Sequence, residues 1–337
     1  MSSNFTFPSP IGGVPFSSDY APSVLFAILY ALLVPAIIWR LVSPRSRNFV
    51  LIGTIAFAVE RVVIFGLRSE ESRNASARTN NNLTIYMQTT LSIGYISIAA
   101  DLLLLLRSLL VSATLQGAGQ SKAKYSAVDP ESHEFLNAPY EPGTVPAFAS
   151  ATSAVIEERA RERWWYRRVA GSLMIAFWIP FLLGTVAGIV YVKAETDVHK
   201  AQLEQQLRYA TSATSFVLVT LIQGFALYAA VAVRGVERRP VWLLFGLATL
   251  LNIISVYRIV VMRLQTDSLT SMAPGSLNSA GSKAAFYVLH IVSEWLAAAT
   301  LLSINIREWF ETGLWGDQFR PLEKDLLKSE SMARDSQ

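Results

Sequence analysis

The sequence contains no cysteine, and only 16% of its 337 residues are charged. The first absence excludes disulfides, thiolate nucleophiles, S-palmitoyl anchors and cysteine-ligated zinc or iron–sulfur centres. The second sets the chain apart from soluble domains, in which charged residues make up about a quarter. Charge of one sign is also missing as a block: the formal net charge is +4, and the Lys and Arg lie beside apolar segments instead of forming a basic domain. Their placement therefore speaks for topology, and no nucleic-acid partner is expected.

What is present is apolar: 52% of residues are hydrophobic, and they collect in seven blocks, each near the length of about 20 residues that crosses a bilayer core. The expected fold is an all-α, polytopic membrane protein with seven transmembrane helices at Pro22–Trp39, Phe49–Leu67, Ile85–Leu106, Val169–Val192, Tyr209–Val233, Val241–Met262 and Ala284–Ile306. No Lys or Arg precedes the first block, which is longer than a signal-peptide core, so it is read as a retained anchor. With the N-terminus outside, nineteen of the 29 Lys and Arg fall in cytosolic segments and eight in external ones, Arg61 and Arg258 lying within spans. That bias predicts N-outside, C-cytosolic. The sequons at Asn4, Asn74 and Asn82 all fall in segments placed outside, Asn74 being the best candidate for glycosylation because Asn82 lies close to the third helix.

The expected organisation is an extracellular segment (1–21), helices one to three (22–110), a cytosolic loop (111–168), helices four to seven (169–306) and a cytosolic tail (307–337). Gln116–Gly117–Ala118–Gly119–Gln120–Ser121 and Pro130, Pro139, Pro142 and Pro146 predict a largely disordered loop. Trp164–Trp165–Tyr166–Arg167–Arg168 reads as an anchor at headgroup depth. The lipid bilayer is thus one partner, and a cytosolic protein docking on 111–168 is a second possibility. In the tail, the cluster Trp309, Phe310, Leu314, Trp315 and Phe319 predicts a segment along the inner leaflet, with Gly313 and Gly316 interrupting any regular helix.

Charges inside spans are costly, about 2.5–3.5 kcal/mol each on insertion scales, so they face the bundle interior and need partners. Glu60, Arg61, Arg258, His290 and Glu294 lie, at a rise of about 1.5 Å per residue, within about 10 Å of the midplane on the outer side. A buried ionic cluster follows. Adjacent helical residues point about 100° apart, so the expected pairs are Arg61 with Glu294 and Glu60 with Arg258. His290 and Tyr287, on the same stripe as Glu294, form its external edge, and Gln223 and Asn252 are possible extensions. Asp101, deeper in the bundle, is expected to bond a neighbouring helix. Pro35 and Pro180 predict kinks, and Gly184 and Gly188 form a G-x-x-x-G packing face.

Catalytic constellations are missing. Of three histidines, His133 and His199 fall in loops on opposite sides of the membrane, so His290 has no second histidine with which to hold a metal. There is no P-loop, no dinucleotide fingerprint and no evident Ser–His–Asp set. The chain is therefore expected to be no enzyme and to carry no cofactor. Mid-helix seven lacks the lysine of a retinal protein; Lys283 sits at its outer end. The stretches Leu105–Leu106–Arg107–Ser108 and Ser303–Ile304–Asn305–Ile306 lack the triplet and Asn–Pro pair of the largest receptor family.

Gly12–Gly13–Val14–Pro15, Asp19, Glu60–Arg61, Gly66–Leu67–Arg68, and Gly94 ahead of Leu103–Arg107 resemble an uncharacterised fungal family of seven-helix membrane proteins, over chiefly the first 110 residues. That resemblance implies a fungal membrane protein of unknown activity. The expected location is the plasma membrane or another secretory-pathway membrane. More distantly, Arg258 and Glu294 are similar to the charged positions of fungal lipid-translocating exporter-like proteins, although Met262 and Leu301 stand where further acids are expected. The function expected is a receptor-like or sensor protein whose ligand the sequence leaves unknown. The alternatives are a transporter or lipid-handling protein and a structural scaffold.

Overall fold

The structure, a computed structural model, describes residues 5–43, 46–126, 159–233, 235–314, 316 and 317. It is a helical bundle: α1 (Tyr20–Ala31), α2 (Val34–Val42), α3 (Ile52–Arg73), α4 (Ala75–Arg78), α5 (Asn81–Ser126), α6 (Ala160–Ala176), α7 (Trp178–Ala194), α8 (Val198–Ala232), α9 (Arg238–Val261), α10 (Ala280–Ala285), a π-helical turn (Phe286–Val292), α11 (Ser293–Ser303) and α12 (Ile306–Trp309). Among the described residues, six helical stretches are long and apolar enough to cross a membrane: Ser17–Val42, Asn81–Thr114, Ala160–Ala194, Val198–Ala232, Arg238–Val261 and Ala280–Ser303. The remaining expected span appears as α3, whose 22 residues include Glu60, Arg61, Arg68, Glu70, Glu71 and Arg73. It is too charged to qualify by composition.

The periodicity of α3 explains how it tolerates that charge. Thr54, Ala58, Arg61, Phe65, Arg68 and Ser72 recur at alternating spacings of four and three and are all buried, so Arg61 and Arg68 belong to the inward stripe. Val59 and Val63 are exposed on the opposite side. On α7, Trp178, Ile179, Leu182, Val186 and Ile189 likewise face outward. Such broad exposed apolar surfaces fit a lipid solvent. The core at the centre of the bundle includes Tyr95, Leu102, Leu105, Ile222, Leu251 and Leu301.

Both prolines interrupt their helices as expected. The first span breaks into α1 and α2 just before Pro35, and the fourth breaks at Phe177 before Pro180. A Cβ on Gly188 would lie 2.1 Å from Thr89 Oγ1, and one on Gly184 2.9 Å from Ile93. The G-x-x-x-G face therefore packs α7 on α5, within the bundle. Asp101 Oδ2 accepts from Thr54 N at 2.6 Å and from its hydroxyl at 2.7 Å, joining α5 to α3.

Two expectations need correction. The loop is expected from Val111, but α5 remains helical through the glycine-containing stretch to Ser126; the good helix formers Leu115, Gln116, Ala118, Gln120, Lys122, Ala123 and Lys124 offset Gly117 and Gly119. Residues 127–158 of the expected cytosolic loop lie outside the described residues, as do Asn4 and Phe319. The tail segment does not simply lie along a surface. Ile306 and Phe310 are buried in the core, and β3 (Thr312–Gly313) pairs antiparallel with β4 (Gly316–Asp317). This hairpin is tied to the bundle by Phe49 N to Leu314 O at 2.9 Å, Asn48 Nδ2 to Thr312 Oγ1 at 2.5 Å and Arg167 Nε to Asp317 Oδ2 at 2.6 Å.

Candidate functional site

The intramembrane charges gather around Arg61. Its Nε meets Glu294 Oε2 at 3.0 Å and its Nη2 meets Glu294 Oε1 at 3.0 Å, a two-point fork between α3 and α11. Both side chains are fully buried, so each charge depends on the other for the solvation that water would supply. His290 Nε2 lies 3.1 Å from Glu294 Oε1, one helical step away as predicted. Phe57 packs under the Arg61 guanidinium at 4.5 Å, and a Cβ on Gly94 would come within 2.3 Å of Arg61 Nη2. Only a glycine on α5 lets the arginine lie flat there.

The second expected pair does not form. Glu60 Oε2 accepts from Arg61 Nη1 at 3.1 Å: the long arginine side chain bends back to its neighbour, which the 100° argument about Cβ directions did not allow for. Arg258 instead donates to Ser92 O at 2.5 Å and Ser92 Oγ at 2.9 Å, and lies 5.4 Å from the Tyr95 ring centre. A serine and a carbonyl of α5 thus take the place of the acid. Gln223 and Asn252 bond each other at 2.6 Å, and Gln223 donates to the exposed Thr249 at 2.8 Å. They make a seam between α8 and α9 apart from the cluster.

Tyr287 leaves the Glu294 stripe as well. Its hydroxyl joins a second buried set above the first, 3.2 Å from Asp19 Oδ1, 3.2 Å from Arg68 Nε and 3.1 Å from Ser23 Oγ. Lys283 Nζ bonds Asp19 and donates to Val14 O at 2.8 Å. Arg68 Nη2 donates to Gly12 O at 2.6 Å. The π-helical turn spans Tyr287 and His290 and sends one to each set. Such turns are rare and recur at functional sites. Around them, His290 Nδ1, Tyr30 Oη, Tyr257 Oη and Arg258 Nε are buried without a hydrogen-bond partner among the described residues.

Above both sets runs the N-terminal segment. β1 (Phe7–Pro8) pairs antiparallel with β2 (Gln265–Thr266), and the chain that follows is irregular and buried through Val14. A buried segment without regular structure must find partners for its backbone. Helix side chains and the loop that precedes α10 supply them: Arg208 to Ser9 O at 2.7 Å, Gln88 Oε1 to Ile11 N at 2.8 Å and Asn278 Oδ1 to Val14 N at 2.8 Å. Gly12 and Gly13 turn with φ of +74° and +64°, and a Cβ on either would collide with the Phe286 ring or Leu277 O. The segment is a strap across one end of the bundle.

Asp19, Arg68, Lys283, Arg208 and Glu204 are not among the expected site residues. All five are buried, Arg208 pairing with Glu204. Arg68 had a readable signal, the spacing of seven from Arg61 on a helix. Asn74 is exposed and caps α4 by accepting from Ser76 N at 3.1 Å, and Asn82 is exposed in the first turn of α5. Comparison with protein-family models, curated proteins and solved structures finds no match for this chain. The functional reading therefore rests on its own geometry.

Proposed function

We propose that the chain is a non-enzymatic, receptor-like or sensor protein of the plasma membrane or another secretory-pathway membrane. In this reading α3 is a spanning helix, the bundle has seven spans, the N-terminus is outside and the C-terminus is cytosolic. The observation that carries it is the π-helical turn, which links the strap to the Arg61–Glu294 fork through Tyr287 on one side and His290 on the other. A ligand that binds the strapped and released forms with different affinity would shift the balance between them, and the fork is the latch that holds the strapped form.

The positive-inside bias and the exposed Asn74 support the orientation. Packing alone is the second reading, favoured by the complete burial of Arg61, Arg258, His290 and Glu294. A transporter or lipid-handling protein would additionally need a path past the fork.

The absence of cysteine allows a clean test. Ser9 is buried in the strap, so Ser9→Cys should react slowly with an impermeant maleimide applied to intact cells. Adding Glu294→Gln should raise that rate at least threefold with the amount of folded protein unchanged. Unchanged labelling together with a lowered melting temperature would leave the charges a packing role only.

A further inference from the structure

At the end of the bundle opposite the strap, two adjoining cavities share the walls Trp165, Tyr166 and Tyr228. The inner one, about 200 Å³, lies between α5, α6 and α8 and is lined almost wholly by apolar side chains such as Leu106, Leu173 and Phe225. The outer one, about 370 Å³, is polar and bordered by Arg159 and Glu162. Tyr166 and Tyr228 stand at the boundary between the two. Together the two reach the range of roughly 300–1,000 Å³ usual for small-ligand sites.

We infer that this paired cavity binds a single anionic phospholipid, with acyl chain in the inner compartment and phosphate headgroup in the outer. The amphipathic division matches a lipid and suits neither a wholly polar solute nor a wholly apolar one. Charge sets the sign. Arg107 and Arg159 line the two compartments, and Arg163 and Arg168 follow on the first turns of α6, with Arg167 paired to Asp317, while Glu162 is the one acid of the lining among the described residues. Arg159 is held there by Glu162 at 3.0 Å and by the Ala113 carbonyl at 3.5 Å. The exposed Trp164 and Trp165, with Arg168 lying 5.7 Å from the Trp164 ring centre, put the mouth at headgroup depth. The leaflet that supplies the lipid, the cytosolic one, follows from the orientation proposed above; the site itself does not depend on it.

The test is thermal unfolding of the purified full chain in detergent against dioctanoyl phosphatidylserine, dioctanoyl phosphatidylcholine and glycerophosphoserine, which has no acyl chains. Phosphatidylserine should give a saturable rise in melting temperature at least twice that of the choline lipid, and glycerophosphoserine should give none. Ala170→Leu, which adds bulk to the inner wall, should cut the serine-lipid shift at least threefold. Arg159→Gln, a partly exposed position that keeps the test valid if the first variant does not fold, should erase the preference for serine over choline. Equal shifts from both lipids, a full shift from glycerophosphoserine, or an undiminished shift in both variants would each overturn the inference. So would crosslinking of a probe at Val169→Cys to residues 127–158 or to a cytosolic protein, either of which would show a different occupant. These variants lie away from the fork, so failure here leaves the latch test unaffected.

Discussion

Arg61 and Glu294 approach each other as fork to fork, with both bonds at 3.0 Å and neither side chain exposed. Removing one partner leaves a buried charge with nothing to solvate it, a loss of about 3–5 kcal/mol, whereas removing both and filling the space can be nearly neutral. Arg61→Leu and Glu294→Leu should each lower the melting temperature steeply. The double variant should recover at least half of the summed loss. Strict additivity in thermal unfolding would show that the two act independently.

Gly94 offers a test of the same arrangement from the third helix that borders it. A Cβ there would stand 2.3 Å from Arg61 Nη2 and 2.9 Å from the Phe57 ring. Gly94→Ala should therefore destabilise by about 2 kcal/mol or more, as overpacking does in a filled core. Gly66→Ala and Gly246→Ala meet nothing within 4 Å and should be neutral or stabilising by up to about 1 kcal/mol, because alanine is the better helix former. Comparable losses at all three positions would remove Gly94 from the account.

The contrast between these glycines shows what the sequence makes legible. Hydropathy locates the six helices long and apolar enough to cross a membrane because apolar block length is a local property, and the pairing of Arg61 with Glu294 follows from charge sign and depth. The i,i+4 relation of His290 to Glu294 was equally local. The Glu60 pairing failed because side-chain reach overrides Cβ direction for a residue as long as arginine. Arg68, Lys283 and Arg208 lie outside the expected cluster for a different reason: apart from the spacing of Arg68 from Arg61 and the neighbouring Glu204 beside Arg208, their partners are backbone carbonyls of the strap and Asp19, more than forty positions away in sequence. The π-helical turn at Phe286–Val292 is not announced by the apolar run Phe-Tyr-Val-Leu-His-Ile-Val, which reads as ordinary helix.

Glu71 carries a pH dependence. Burial pushes its carboxyl up from 4.5 to about 7, against the pull of Arg68 and Arg78. Between those values the folded chain keeps a proton that the unfolded chain has released, so stability falls as pH rises from about 4.5 through 7 and levels off above. Glu71→Gln should gain on the order of 1–3 kcal/mol at pH 8 and nothing at pH 4. Melting temperatures of both proteins across that range check it; parallel curves would mean that Glu71 ionises freely.

Asn74 tests the orientation independently of stability. It is exposed at the turn between α3 and α4, where a glycan would project away from the bundle, and its capping bonds to Ser76 are local. Asn82 is also exposed, yet it lies in the first turn of the helix that enters the Asn81–Thr114 span. A glycosyltransferase fixed in the membrane reaches acceptors that stand clear of the bilayer, and Asn74 lies seven residues beyond the apolar block Phe49–Leu67 whereas Asn82 lies three before the block Ile85–Leu106. Expressed through a eukaryotic secretory pathway, the wild-type chain should show a glycosidase-sensitive mass shift. Asn74→Gln should lose it and Asn82→Gln should keep it. If all forms run unglycosylated while an added sequon in the C-terminal tail is used, the bundle has the opposite orientation, and the strap closes the cytosolic end.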